Sequence, residues 1–133
     1  MTTANLEMEF FGGAVYVSVW LWSVTENRYL PISLMFDTGA SFTTISPELL
    51  DELGYKPAFS QKIQVRTASK IEQMSRYKMD SIKLGNVALH DIEVRSHKFP
   101  ETSFSSGVVG LNVLRHFDIE MLFSKGIIKL KKL

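Results

Sequence analysis

Apolar residues recur at every second position over much of the chain. Between Leu6 and Trp22, Val15, Val17, Val19 and Leu21 fall on one side and Tyr16, Ser18, Trp20 and Trp22 on the other, with Gly12-Gly13 interrupting the run. Period-two alternation predicts strands with a turn or bulge between them. The polar Thr25-Glu26-Asn27-Arg28 reads as a hairpin loop, after which Tyr29 to Phe36 returns as an apolar strand ending at Asp37. Pro31 lies near its start, where a missing donor is tolerated. Ser46-Pro47-Glu48 has the form of a helix N-cap with proline at the first helical position, and Gly54 stops the short helix that follows. Gln61 to Thr67 is strand-like, and Thr67 to Tyr77 reads as an exposed hairpin. Met79 to Leu84 and Val87 to Val94 form two strands turning at Gly85-Asn86, a hairpin dipeptide. Ser96 to Ser106 is loop-like, Leu111 to His116 suits a short helix, and Phe117 to Phe123 with Ile127 to Leu130 closes the chain as a last hairpin. Many short strands and one or two short helices predict an all-β closed barrel or sandwich.

Composition narrows what such a domain can do. At 133 residues and 45% apolar content the chain holds one domain, 1–133, with a real core. Lys and Arg total 15 against 14 Asp and Glu, so no broad basic field argues for nucleic acid or an anionic membrane. The absence of cysteine excludes disulfides, thiolate zinc sites and cysteine nucleophiles, and suits a reducing compartment. No apolar run approaches membrane-spanning length and the first residues lack a signal-peptide pattern, so the expectation is a soluble, cytoplasmic protein. His90, His97 and His116 have no metal-ligand spacing, and neither metal nor cofactor is expected.

The stretch that looks most like chemistry is Phe36-Asp37-Thr38-Gly39-Ala40-Ser41. A strand ending in Asp, Thr and Gly holds a carboxylate at a fixed height, and the glycine turns the backbone where a side chain would obstruct it. Taken alone, Asp-Thr-Gly is most often simply a turn. It gains weight from Val108-Val109-Gly110-Leu111-Asn112-Val113-Leu114, an apolar pair ending in glycine with a helix behind it.

With β-branched residues after the turn and a hairpin beyond Val65-Arg66-Thr67-Ala68, this order of motifs resembles the retropepsin-like aspartic proteases from about Tyr29 to Leu130. The resemblance implies a closed β-barrel with one or two short helices, active as a symmetric homodimer, in which Asp37 is catalytic. It implies that Thr38 bonds across the two-fold axis, that Gly39 and Ala40 shape the loop, and that Val109, Gly110 and Asn112 brace it. Thr67, Ala68 and Ser69 fall where the family carries its substrate-covering flap, and Val108 where substrate is contacted. The flap departs from viral members, since no glycine lies between Gly54 and Gly85.

Peptide hydrolysis by carboxylates needs two of them, one taking a proton from water and the other donating to the carbonyl oxygen. A chain with a single Asp-Thr-Gly and no room for a second lobe requires a second copy, which C2 symmetry supplies. The partner expected besides that copy is an extended polypeptide, which suits a cleft closed by hairpins. The rival expectation is a catalytically silent domain of the same fold that binds peptides or dimerises. Two further features stay open between structural and functional readings. Trp20 and Trp22, on one strand face, either pack on the sheet or line a contact. Lys129, Lys131 and Lys132 either solvate a sheet edge or belong to a terminal strand that pairs across the dimer.

Overall fold

A computed structural model describes residues 2–57, 63–66, 71–96 and 106–133. The strands are β1 (Thr3–Glu7), β2 (Glu9–Phe11), β3 (Ala14–Ser23), β4 (Arg28–Phe36), β5 (Thr44–Ile45), β6 (Ile63–Arg66), β7 (Ile71–Leu84), β8 (Val87–Ser96), β9 (Gly107–Val109), β10 (Phe117–Leu122) and β11 (Ile127–Lys132). Two short helices, α1 (Pro47–Glu52) and α2 (Leu111–Leu114), follow β5 and β9.

The larger sheet has the order β2-β3-β4-β9-β5-β8-β7-β6, and β3 also pairs with β7. That extra pairing, Trp20 to Lys83 and Leu21 to Ile82, closes β3, β4, β9, β5, β8 and β7 on themselves. The expected barrel is therefore present. Its interior is filled by the alternate residues that the sequence pattern marks as apolar, including Val17, Val19, Leu21, Leu34, Ile45, Met79, Ile82, Val94 and Val109. Pro31 sits opposite Trp20, and β9 reaches only Met35 and Phe36 of β4, so the missing N–H falls on a side that β9 does not pair.

The turns follow the chemistry of their residues. Gly12 and Gly13 both take positive φ, 57° and 80°, in a two-residue hairpin between β2 and β3. Ser46 caps α1 by accepting the Leu49 N–H at 3.3 Å. At Gly85-Asn86 only the glycine adopts positive φ.

Two expectations change. The hairpin ending at Tyr77 and the strand from Met79 are not separate: β7 is one 14-residue strand whose first part pairs with β6 and whose remainder pairs with β8. Its buried side shifts phase near Asp80, opposite Asp91 with its φ of 54°, which hides the continuity from a periodicity argument. The terminal lysines are not on a sheet edge. β11 is the middle strand of a three-stranded sheet, β1-β11-β10, so both of its sides are already paired within the chain. Lys131 and Lys129 lie opposite Asp118 and Glu120, while Ile128 and Leu130 point into the core. Cross-strand carboxylates, not solvent alone, face these lysines.

Trp22 meets the edge of Tyr29 at 5.1 Å between ring centres, as the packing reading expects. Trp20 stays 37% exposed, with the Lys83 ammonium 5.7 Å from its ring centre. Among the described residues, no helix is long and apolar enough to cross a membrane.

Candidate active site

β4 carries Leu34 and Phe36 inward and leaves Met35 half-buried on the outer face. One residue later the Asp37 N–H donates to the Val109 carbonyl at 3.1 Å, extending the parallel contact between β4 and β9. The chain then turns. Ala40 N–H donates to the Asp37 carbonyl at 3.3 Å, and Gly39 N–H donates to Asp37 Oδ1 at 2.8 Å. The carboxylate is thus tied to its own loop through one oxygen, in the manner of an Asx turn. The other oxygen has no protein partner among the described residues, and Thr38 and Gly39 beside it are exposed. A Cβ at Gly39 would lie 3.1 Å from Asp37 Oδ1, so any larger residue would have to displace the carboxylate by a few tenths of an ångström.

Behind this turn the brace is dense. The first N–H groups of α2, which have no partner inside the helix, donate outward: Leu111 to the Ala40 carbonyl at 2.8 Å and Asn112 to the Ser41 carbonyl at 3.2 Å. Asn112 Oδ1 accepts both the Thr43 N–H, at 2.8 Å, and the Thr43 hydroxyl, at 2.9 Å. The same hydroxyl accepts the Gly110 N–H at 3.1 Å, and Asn112 Nδ2 donates to the Glu93 carbonyl at 2.7 Å. Gly110 is packed so closely that an added Cβ would lie 2.7 Å from the Phe42 carbonyl carbon and oxygen and 2.8 Å from the Ala40 oxygen.

The structure therefore sets Asp37 on Val109 and Ala40 to Thr43 against Gly110 and the start of α2, Asn112 included, and leaves Thr38 and Gly39 exposed at the tip of the turn. Val108 lies on the outer face beside Met35. Thr67, Ala68 and Ser69 lie outside the described residues; the β6 and β7 arms that lead to them pair from Ile63–Met74 to Arg66–Ile71.

Sequence reasoning misses a row of side chains that only the register reveals. Tyr16 pairs with Met35, Met35 with Val108, Val108 with Thr44, Thr44 with Arg95, and Arg95 with Arg76. All six are partly exposed, and their strand neighbours Val17, Phe36, Val109, Ile45, Val94 and Tyr77 are buried. Directly paired residues share a sheet face, so this row floors the surface on which Asp37 stands. It runs from apolar at Tyr16, Met35 and Val108 to cationic at Arg95 and Arg76. Beyond its apolar end a cleft of about 290 Å³ opens between Glu9, Phe11, Tyr16 and Ser33.

At the cationic end Glu93 receives Arg76 Nη2 at 2.6 Å and Arg95 Nε at 3.2 Å. Burial alone would raise the Glu93 carboxyl, but hydrogen bonds and charge from Arg76 and Arg95 outweigh it and hold the group below its ordinary range. The Arg95 guanidinium lies 3.4 Å from the centre of the Phe42 ring, and Phe42 belongs to the loop that begins at Asp37. No group of three or more His, Asp or Glu among the described residues is placed to hold a metal ion.

Residues 22–113 match the aspartyl protease family model. Among solved structures, a retropepsin-like aspartic protease from Rickettsia conorii superposes with a TM-score of 0.70 at 17% identity, covering 97% of this chain and 91% of that one. The retroviral protease-like domain of Ddi1 from Leishmania major gives 0.54 at 12% identity, covering 90% and 94%. EIAV protease, in complex with the inhibitor HBY-793, gives 0.52 at 14% identity, covering 80% and 90%. No curated protein matches the chain significantly in sequence. At these identities the structural likenesses establish the retropepsin fold.

Proposed function

Because the chain belongs to the aspartyl protease family and carries one Asp-Thr-Gly turn in one lobe, we propose that it is an aspartic endopeptidase working as a symmetric homodimer. The observation that carries this reading is the Asp37 turn itself: one carboxylate oxygen fixed by Gly39, the other without a partner among the described residues, on a loop braced from behind. A second copy would bring its own Asp37 to the two-fold axis, with each Thr38 bonding to the matching loop.

One Asp37 would be ionised and the other protonated. The ionised carboxylate takes a proton from a water held between them as that water attacks the peptide carbonyl carbon. The protonated one gives its proton to the carbonyl oxygen, forming a tetrahedral diol. Collapse of the diol breaks the C–N bond, with a proton passing to the leaving amine. An extended polypeptide would lie over the Val108 row and under a cover contributed by Thr67, Ala68 and Ser69. Val109, Gly110 and Asn112 serve to keep the loop in place. The whole chain, 1–133, is read as one such domain, and its lack of cysteine fits a cytoplasmic setting.

Digestion of a pooled peptide library, followed by mass spectrometry, tests this. Wild-type protein is expected to cut internal peptide bonds, and Asp37→Asn to reduce cutting to background while retaining fold and dimer by circular dichroism and sedimentation. Undiminished cutting by Asp37→Asn overturns the assignment. A folded wild type that binds peptides without cutting any would instead establish the silent binding module.

A further inference from the structure

The cross-strand row raises a question of selectivity, since a surface for an ordinary apolar peptide has no need of a cation at one end. Arg95 is held in an unusual way. Its Nε is spent on Glu93 Oε2 at 3.2 Å, and the flat face of its guanidinium rests on the Phe42 ring at 3.4 Å. Its backbone N–H is tied to the Thr43 carbonyl at 2.9 Å. Among the described residues, neither terminal guanidinium nitrogen has a protein partner, and the side chain remains 21% exposed. Stacking and the Nε bond remove the rotational freedom that an arginine ordinarily loses on binding, and they leave the two-nitrogen fork presented. A fork of that geometry matches a carboxylate, through two parallel charge-assisted hydrogen bonds. Arg76, directly opposite in the ladder and bound to the same Glu93, adds positive potential around it.

We propose that Arg95 is a specificity-determining residue that receives an acidic side chain, Asp or Glu, of the bound peptide a few residues from the scissile bond. The proposal rests on reading the Tyr16-to-Arg76 row as the peptide-binding face. Neighbouring strands lie about 4.8 Å apart, so Arg95, three strands from Met35, is roughly 14 Å from it, the span of about four extended residues. The opposite end of the row, at Tyr16 and Met35 with Phe11 beyond, takes apolar side chains. In the symmetric dimer each copy contributes one such row, so the peptide selected is apolar around the cut and acidic about four residues away on either side.

Asp37→Asn protein, immobilised and exposed to a randomised octapeptide pool, reads selectivity without needing catalysis. The captured peptides are expected to be enriched in Asp and Glu toward their ends, about four residues from the centre of the site. A synthetic captured peptide should bind about ten- to a hundredfold more tightly than its Glu-to-Gln counterpart, the range of a charge-assisted bidentate pair. Arg95→Gln in the same background should erase that difference, and Arg95→Lys, which keeps the charge without the fork, should retain only part of it. Equal binding of the Glu and Gln peptides to protein with intact Arg95 overturns the proposal, as does acidic enrichment that survives Arg95→Gln in a folded variant, or a failure to capture any peptide. Cleavage of the same pool by wild type is scored separately. Cutting without acidic preference retires Arg95 and leaves the endopeptidase, whereas acidic capture without cutting retains Arg95 and removes the endopeptidase.

Discussion

The two sides of the Asp37 loop are built on opposite terms. Behind the loop, Asn112, Thr43, Gly110, Ala40 and Ser41 form a closed set of hydrogen bonds around a fully buried threonine. In front, Asp37 has one oxygen without a protein partner among the described residues, and Thr38 and Gly39 are exposed. The back behaves as a folded core and the front as half of something. A group that must face a partner has to be held without being used up, and the only way to hold it is from the side that the partner will not occupy. The difference predicts that substitutions behind the loop damage the monomer, whereas those in front leave the monomer intact and damage assembly or activity.

The largest effect belongs to Gly110. A methyl group there meets the Phe42 carbonyl and the Ala40 oxygen, which are backbone atoms and cannot rotate aside. Gly110→Ala should cost about 3 kcal/mol, at the upper end of ordinary overpacking. For a chain of this size that lowers the melting temperature by roughly 10 °C. A thermal unfolding curve unmoved from wild type would show that the brace is slack and the comparison false.

Asn112→Ala comes next. It strands the Thr43 N–H and hydroxyl and the Glu93 carbonyl, groups that have exchanged water for this one side chain. Leaving buried donors unsatisfied costs about 1–3 kcal/mol, so denaturant titration should place the loss at about 2–3 kcal/mol. Cleavage should fall with it even where the protein remains folded, because among the described residues the loop keeps only the Arg95 contacts to Thr43 and Phe42 as its ties to β8. Full activity in a destabilised variant would separate the brace from the site.

How much of this was legible in the sequence depends on whether the cause was local. The Asp37 turn, the Gly12-Gly13 and Gly85-Asn86 hairpins and the Ser46 cap are local, and residue chemistry alone announces them. The packing of Gly110 and Asn112 behind the loop is not announced by those residues themselves; only their order, which resembles a known family, pointed to it. Nothing in Asn112 itself points across the fold to Thr43. Arg95, Met35, Thr44 and Tyr16 share one row because of a register running through parallel and antiparallel pairs, and a one-residue slip would send them to the other face. The lysines of β11 misled for the same reason. Alternation marks an exposed face, but whether a strand lies at the edge or in the middle of its sheet depends on β1, more than a hundred residues away in sequence.

Thr38→Ala should have the smallest effect on the monomer. Thr38 is exposed, and its hydroxyl makes no hydrogen bond with any described residue, so the isolated chain should unfold within about 0.5 kcal/mol of wild type. If the front of the loop is a docking face, the missing hydroxyl is felt only when two copies meet. Sedimentation should then show a weaker dimer, and activity should become more dependent on protein concentration, with cleavage recovered in part at high concentration. Mass action requires that recovery for an interface defect and forbids it for a defect in the carboxylate itself. A Thr38→Ala protein whose activity is reduced equally at all concentrations would place Thr38 in the chemistry and not in the contact. Unchanged assembly and activity would mean that the exposed front is not where the second copy docks.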